Sequence, residues 1–386
     1  MMNRMRINTE TMKNIAIYTL TSELHDEAAV GTVTKEFLGS LGITYEFRGN
    51  DYADYGSHTL SLIYVRTGGT EGIFLRLLPQ LLEKSQRPFY LLTSGKSNSL
   101  AASMEILSYL QQHDLRGEII HGSAEYIARK IRVLEKVGEA RQWLDGARLG
   151  IIGKPSDWLI SSQADYEVVR RRLGIELVDI PMQELLDSVV DGDIDGALKT
   201  LIGRHRLQGF TLRCFDLLTA LRDTGCMALA KLNAEGYVAG CEGDVPAMLS
   251  MMMVRSLLGV SGFQANPARI DPEKGEMLFA HCTIPLDMVE HYELDTHFES
   301  SIGTGIRGYM KEGPVTIFKL SGDLTRHFIA EGQLVRNESK PDLCRTQQVI
   351  SLSDKRQADY FLTQPIGNHH IIMPGHQRAL LEGLIS

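Results

Sequence analysis

Glu242 and Asp244 stand two residues apart in the stretch "GCEGD", between the apolar run "GYVA" and the proline-initiated segment "VPAMLSMMMV". Two carboxylates at the tip of an apolar strand can hold a cation, move a proton or cap a helix. Asp244 suits the last role: Val245 and Pro246 follow it, so it occupies an N-cap position, with proline in the first turn where its missing N–H costs nothing. Glu242 has no such structural duty. Gly240 and Gly243 clear space around it, and strand C-terminal ends face the ligand crevice in an open α/β sheet.

Histidines supply the second kind of chemistry. Seven of the twelve, His281, His291, His297, His327, His369, His370 and His376, fall in the last 106 residues. In "EMLFAHCTIP" the alternation sets Phe279, His281 and Thr283 on one face of a strand and Leu278, Ala280, Cys282 and Ile284 on the other. A single histidine inside a strand is more often a core residue than a ligand. In "GNHHIIMPG", His369 and His370 follow a turn and precede an apolar strand, so they point to opposite sides and only one shares a pocket easily. A carboxylate with two histidines suits an open divalent-metal site, with Mn²⁺ a candidate where oxygen ligands accompany imidazole.

The elements that would position these groups are α/β in the first two thirds of the 386 residues. "NIAIYTL", "LSLIYV" and "RPFYLLTSGKSNSL" are apolar runs that lead through Gly, Ser or Thr into helical periodicity, which predicts a parallel sheet covered by helices on both faces. A fresh strand opens at Arg148, so a boundary is expected near Gly138, and strands continue through "IELVDIP", "LQGFTLRCF" and "GYVAGCEGD". From about Gly259 short, near-alternating runs broken by Gly, Pro and Asp predict an antiparallel sheet or small barrel. The expected organisation is two doubly wound parallel-sheet domains, 1–138 and 139–258, followed by a smaller β-rich domain, 259–386.

Composition narrows the function. A formal charge of -8 argues against nucleic acid as partner, and no apolar run is long enough to span a bilayer. The five cysteines are odd in number and lack CxxC spacing, and we read them as reduced, cytoplasmic thiols. The first twelve residues are polar, without the apolar core of a signal peptide, and read as a disordered extension or an early start. "TGGTEG" and "TSGKSNS" match neither GxGxxG nor GxxxxGK[ST], so nucleotide chemistry loses its usual support, and Ser and Thr there are expected to cap helices.

Four blocks in order, "CEGDVPAMLSM", "FQANPARIDPEKGEMLFAHCTIP", "HFESSIGTGIRG" and "GNHHIIMPG", resemble the L-fucose isomerase and L-arabinose isomerase superfamily over roughly Gly209 to His376. The resemblance implies an aldose-ketose isomerase with a divalent metal, commonly Mn²⁺, acting on a deoxy-, pentose or modified sugar as a homotrimer or homohexamer. It makes Glu242 metal ligand and acid/base, and His281 and His369 further ligands, with His370 the less favoured neighbour and a substrate-side residue. The second acidic ligand of the fucose branch falls 24 residues after Glu242, where this chain has Asn266, a neutral side chain that can ligate or hydrogen-bond but not act as a base. Asp271, five residues on, is then the expected replacement for the missing charge, and Arg213 a candidate for a sugar hydroxyl or substrate anion. The neutral residue at 266 also leaves room for a sugar-binding or regulatory protein without turnover.

Overall fold

The computed structural model describes residues 14–385, so the polar extension expected over the first twelve residues lies outside them. The chain forms two compact units, one ending at Glu139 and one beginning at Ala140.

The first unit holds a parallel sheet of β1 (Ile15–Leu20), β2 (Glu46–Gly49), β3 (Leu60–Val65), β4 (Phe89–Thr93) and β5 (Gly117–Ile120), in the order β2-β1-β3-β4-β5. Ala16, Tyr18 and Leu20 pack into one cluster with Ile63 and Val65, while Ile15 and Ile17 pack into another with Leu60, Leu62 and Tyr64. Burial on both faces is why these strands read as continuous apolar runs. The helices that follow the Gly-rich loops are not capped as expected: the Thr70 hydroxyl donates to the Thr67 carbonyl, and Asn98 takes a left-handed backbone, so neither side chain caps its helix.

The second unit begins with a parallel sheet of β6 (Arg148–Ile152), β7 (Glu176–Ile180), β8 (Gly209–Leu212) and β9 (Val238–Cys241), in the order β7-β6-β8-β9. This leaves β9 at an edge, where backbone groups need partners other than a strand. Two buried side-chain amides supply them. Asn233 donates to the Ala239 carbonyl at 2.9 Å and accepts from the Ala239 N–H at 3.0 Å. Two residues on, Gln264 accepts from the Cys241 N–H at 2.9 Å and donates to its carbonyl at 3.1 Å. Each amide stands in for one residue of a neighbouring strand. Asp244 then starts the helix Val245–Leu258 by accepting from Ala247 N–H, and Gly259 ends it at φ +75° with its N–H on the Arg255 carbonyl. Met248, Met251, Met252 and Met253 are all buried on this helix, which is therefore apolar around most of its circumference.

The remaining strands are antiparallel: β10 (Phe263–Asp271), β11 (Glu276–His281), β12 (His291–Asp295), β13 (Gly305–Tyr309), β14 (Gly313–Leu320), β15 (His327–Glu338), β16 (Thr346–Leu352) and β17 (His370–Pro374). β12 and β13 pair with each other, and the other six close into a barrel in the order β10-β11-β16-β15-β14-β17. Closure removes every edge. The barrel interior is filled by Phe263, Phe279, Ile317, Ala330, Ile350 and Ile372.

Replacing Asn233 by alanine should leave the N–H and C=O of Ala239 unpaired in a buried setting. The expected loss is about 2 kcal/mol, read as a fall of several degrees in the thermal midpoint. An unchanged midpoint would show that the amide does not sustain the edge of β9.

Candidate metal centre

Glu242 follows β9 directly, and the chain leaves the strand through two consecutive left-handed residues, Glu242 and Gly243, both at φ +62°. A Cβ on Gly243 would lie 2.9 Å from the Lys154 carbonyl and 3.0 Å from Ser156 N, so this position requires glycine. Glutamate in the same backbone region costs of order 1 kcal/mol, and the Ser156 hydroxyl, which donates to the Glu242 carbonyl, holds it there. The turn aims the carboxylate at two imidazoles. Oε1 stands 3.3 Å from His281 Nε2 and 3.6 Å from His369 Nε2, without the alignment of hydrogen bonds.

Three residues expected from the sequence thus converge: Glu242, His281 and His369 each offer a ligand atom, all within 4.8 Å of one another. The donor set fits a divalent ion. His369 Nε2 and both ring nitrogens of His281 are buried and carry no hydrogen bond, although buried polar atoms are ordinarily paired. One carboxylate oxygen with imidazole nitrogens is a borderline donor set that suits first-row divalent metals.

Asp244 supports this arrangement as well as capping its helix. Its Oδ2 accepts from His369 Nδ1 at 2.9 Å, which keeps the proton on Nδ1 and turns Nε2 toward Glu242. Lys319 Nζ, on β14, and Ser162 Oγ each lie 3.5 Å from the same oxygen. Against the effect of burial, Lys319 and His369 hold the Asp244 carboxyl at about 2, and burial pushes the Lys319 ammonium down. Burial would also raise Glu242, but the two imidazoles keep it well below the usual carboxylate range. The carboxylates in turn overcome burial to lift His369 to about 9. A cation on Nε2 would compete with that proton.

Other expected site residues lie elsewhere. His370 is the first residue of β17 and, unlike His369 in the turn before it, packs into an aromatic cluster with Phe328, Tyr360 and Phe361. Its Nδ1 donates to the Asn368 carbonyl at 2.9 Å, its Nε2 accepts from the Tyr360 hydroxyl at 3.1 Å, and burial lowers it to about 3. It is a neutral core residue, with no exposed atom to offer a substrate. Asp271 accepts from Lys274 N–H at 3.0 Å in the turn that closes β10 and β11. It pairs across that hairpin with Glu276, five residues from His281, a run of about 17 Å along a strand. It cannot replace a missing ligand. Asn266 lies opposite Ala280, beside His281, but its Oδ1 accepts from Asn368 Nδ2 at 2.9 Å and it stands outside the three-residue cluster.

Arg213 is occupied on all three nitrogens, by Asp216, the Pro155 carbonyl and Asp157. It braces the loop after β6 and stacks 4.9 Å over the Trp158 ring. Trp158 itself donates from Nε1 to Glu242 Oε2 at 3.4 Å. Sequence reasoning missed Trp158, Lys319 and Gln264. The usable signal for Lys319 was a charge inside the apolar strand "VTIFKL"; for the others only tertiary proximity shows the role. All five cysteines are free, and Cys214 and Cys241, beside Arg213 and Glu242, bring their sulfurs within 3.2 Å.

Glu242→Gln and His281→Ala should each abolish measurable Mn²⁺ binding by calorimetry, whereas Asp244→Asn should weaken it about 10- to 100-fold by loosening His369. Asp271→Ala should leave affinity unchanged. Equal affinity across all four variants would remove the metal assignment.

No protein-family profile matches the chain. Two curated proteins named sulfoquinovose isomerase, from Priestia aryabhattai and Priestia megaterium, are each 24% identical to it over 262 residues, covering 58% of this chain and 59% of the relative. The chain spans less than two thirds of the length of these relatives, and its similarity is to sugar isomerases.

Proposed function

We propose that the protein is a metal-dependent aldose-ketose isomerase acting on a modified sugar through an ene-diol. The convergence of Glu242, His281 and His369 carries this reading, and the name shared by the two similar proteins supports it. That name points to sulfoquinovose, an aldose bearing a sulfonate, as the first substrate to try. The conversion moves a proton from C2 to C1 and another between the two oxygens, so one base placed between the carbons serves both. Glu242 has the division of labour this requires: Oε1 faces the imidazoles and Oε2 faces Trp158. A divalent ion, Mn²⁺ by preference, would stabilise the negative charge that develops on the sugar oxygens. His281 and His369 would hold it, and Asp244 would keep His369 in register.

The five free cysteines are consistent with a reducing, cytoplasmic setting. Homotrimeric or homohexameric assembly belongs to the same proposal and rests on the likeness to the fucose and arabinose isomerases. A second reading, a sugar-binding or regulatory protein without turnover, is favoured by one observation: among the described residues the cluster contains a single carboxylate, because Asn266 and Gln264 are neutral and bonded elsewhere.

Incubation with Mn²⁺ and a panel of sulfoquinovose, glucose, L-fucose and L-arabinose should yield a ketose from at least one, with solvent deuterium entering at carbon. EDTA should stop it, and Glu242→Gln should slow it by about 10²- to 10⁴-fold. Binding without ketose or deuterium would establish the second reading.

A further inference from the structure

Trp158 is the largest side chain beside Glu242 that the chemistry above leaves unused. It is 43% exposed, an unfavourable setting for an indole. The loop that carries it is nonetheless fixed: Ser156 donates to the Glu242 carbonyl, Arg213 bonds the Pro155 carbonyl, and Lys154 packs its own carbonyl against Gly243. The ring is braced as well. Arg213 lies 4.9 Å over it, and Phe215 meets it edge to face at 5.2 Å and 81°. Phe215 in turn stands 5.9 Å from the His297 ring, so aromatic surface continues along this side. The indole N–H reaches Glu242 Oε2, the carboxylate oxygen turned away from the two histidines.

A ring that is rigid, partly exposed and bonded to a reacting carboxylate combines two functions in one residue. Its N–H fixes the oxygen, and its exposed surface offers an apolar, polarisable wall beside the carboxylate. Sugars present C–H groups on their ring faces, and such groups pack on an indole while the hydroxyls turn to polar partners.

We propose that Trp158 is the sugar-facing wall of this site, packing against the C–H face of the substrate while its N–H orients Glu242. The inference rests on the sugar-isomerase reading. It places specificity in the loop after β6, with Arg213 acting through the indole as a positioning residue and not as a sugar ligand.

The chain has two tryptophans, Trp143 and Trp158, so Trp143→Phe leaves Trp158 as the single indole reporter in an otherwise intact protein. Titration with Mn²⁺ alone should quench its emission, and sulfoquinovose or another turned-over aldose added afterwards should shift it to shorter wavelength. In the full chain, Trp158→Ala should raise KM about tenfold or more when measured at saturating Mn²⁺. Trp158→Phe should restore most of the KM while kcat stays several-fold low, because the ring returns and the N–H does not. An unchanged KM in Trp158→Ala, or a KM that phenylalanine does not rescue, overturns the wall. If the wild type turns over no aldose, the isomerase reading fails separately, and emission decides: a shift with any panel sugar supports the wall, and none with all four overturns it.

Discussion

A fully buried carboxylate, Asp244, is the constraint on which the second unit depends. An unpaired charge in such a place would be prohibitive, so everything around it must satisfy it. The Ala247 N–H, the His369 imidazole and the Lys319 ammonium do so from three elements: the helix Val245–Leu258, the turn into β17, and β14. The helix N-terminus adds favourable dipole. The same bonds that make the charge tolerable fix where His369 points, so tolerance of the charge and geometry of the cluster are one condition.

The edge of β9 imposes the second condition. Gln264 belongs to the barrel strand β10, yet its amide completes the hydrogen bonding of Cys241. A slip of one residue in β10 would turn Gln264 away and bring Phe263 or Ala265 out of the barrel core. The registers of barrel and sheet edge are therefore coupled immediately before Glu242.

Much of this was legible in the sequence, for identifiable reasons. Glu242 stood out by its place after an apolar strand; adjacency said that only one of His369 and His370 could share a pocket, and the family resemblance favoured His369. The alternating runs after Gly259 announced an antiparallel sheet or small barrel, and the structure closes six of the strands, though their order was not readable. What was hidden depended on distance in the chain. Asp244 was readable as a cap but not as the partner of His369, 125 residues away. Counting a fixed offset from Glu242 selected Asn266, but the strand turns that side chain to Asn368. Asp271 seemed near Asn266 only because an extended strand carries a residue far in five steps.

The left-handed backbone at Glu242 has a consequence for anyone mapping tolerance across the molecule. Glycine would relax that turn, so in Glu242→Gly the strain relieved offsets part of the pairing lost with the imidazoles and Trp158, and folding should suffer far less than a function that needs the carboxylate. Folding and activity then rank the same substitution differently. A position where those two rankings disagree marks work being done there, and it can be found by deep substitution profiling before any ligand is known.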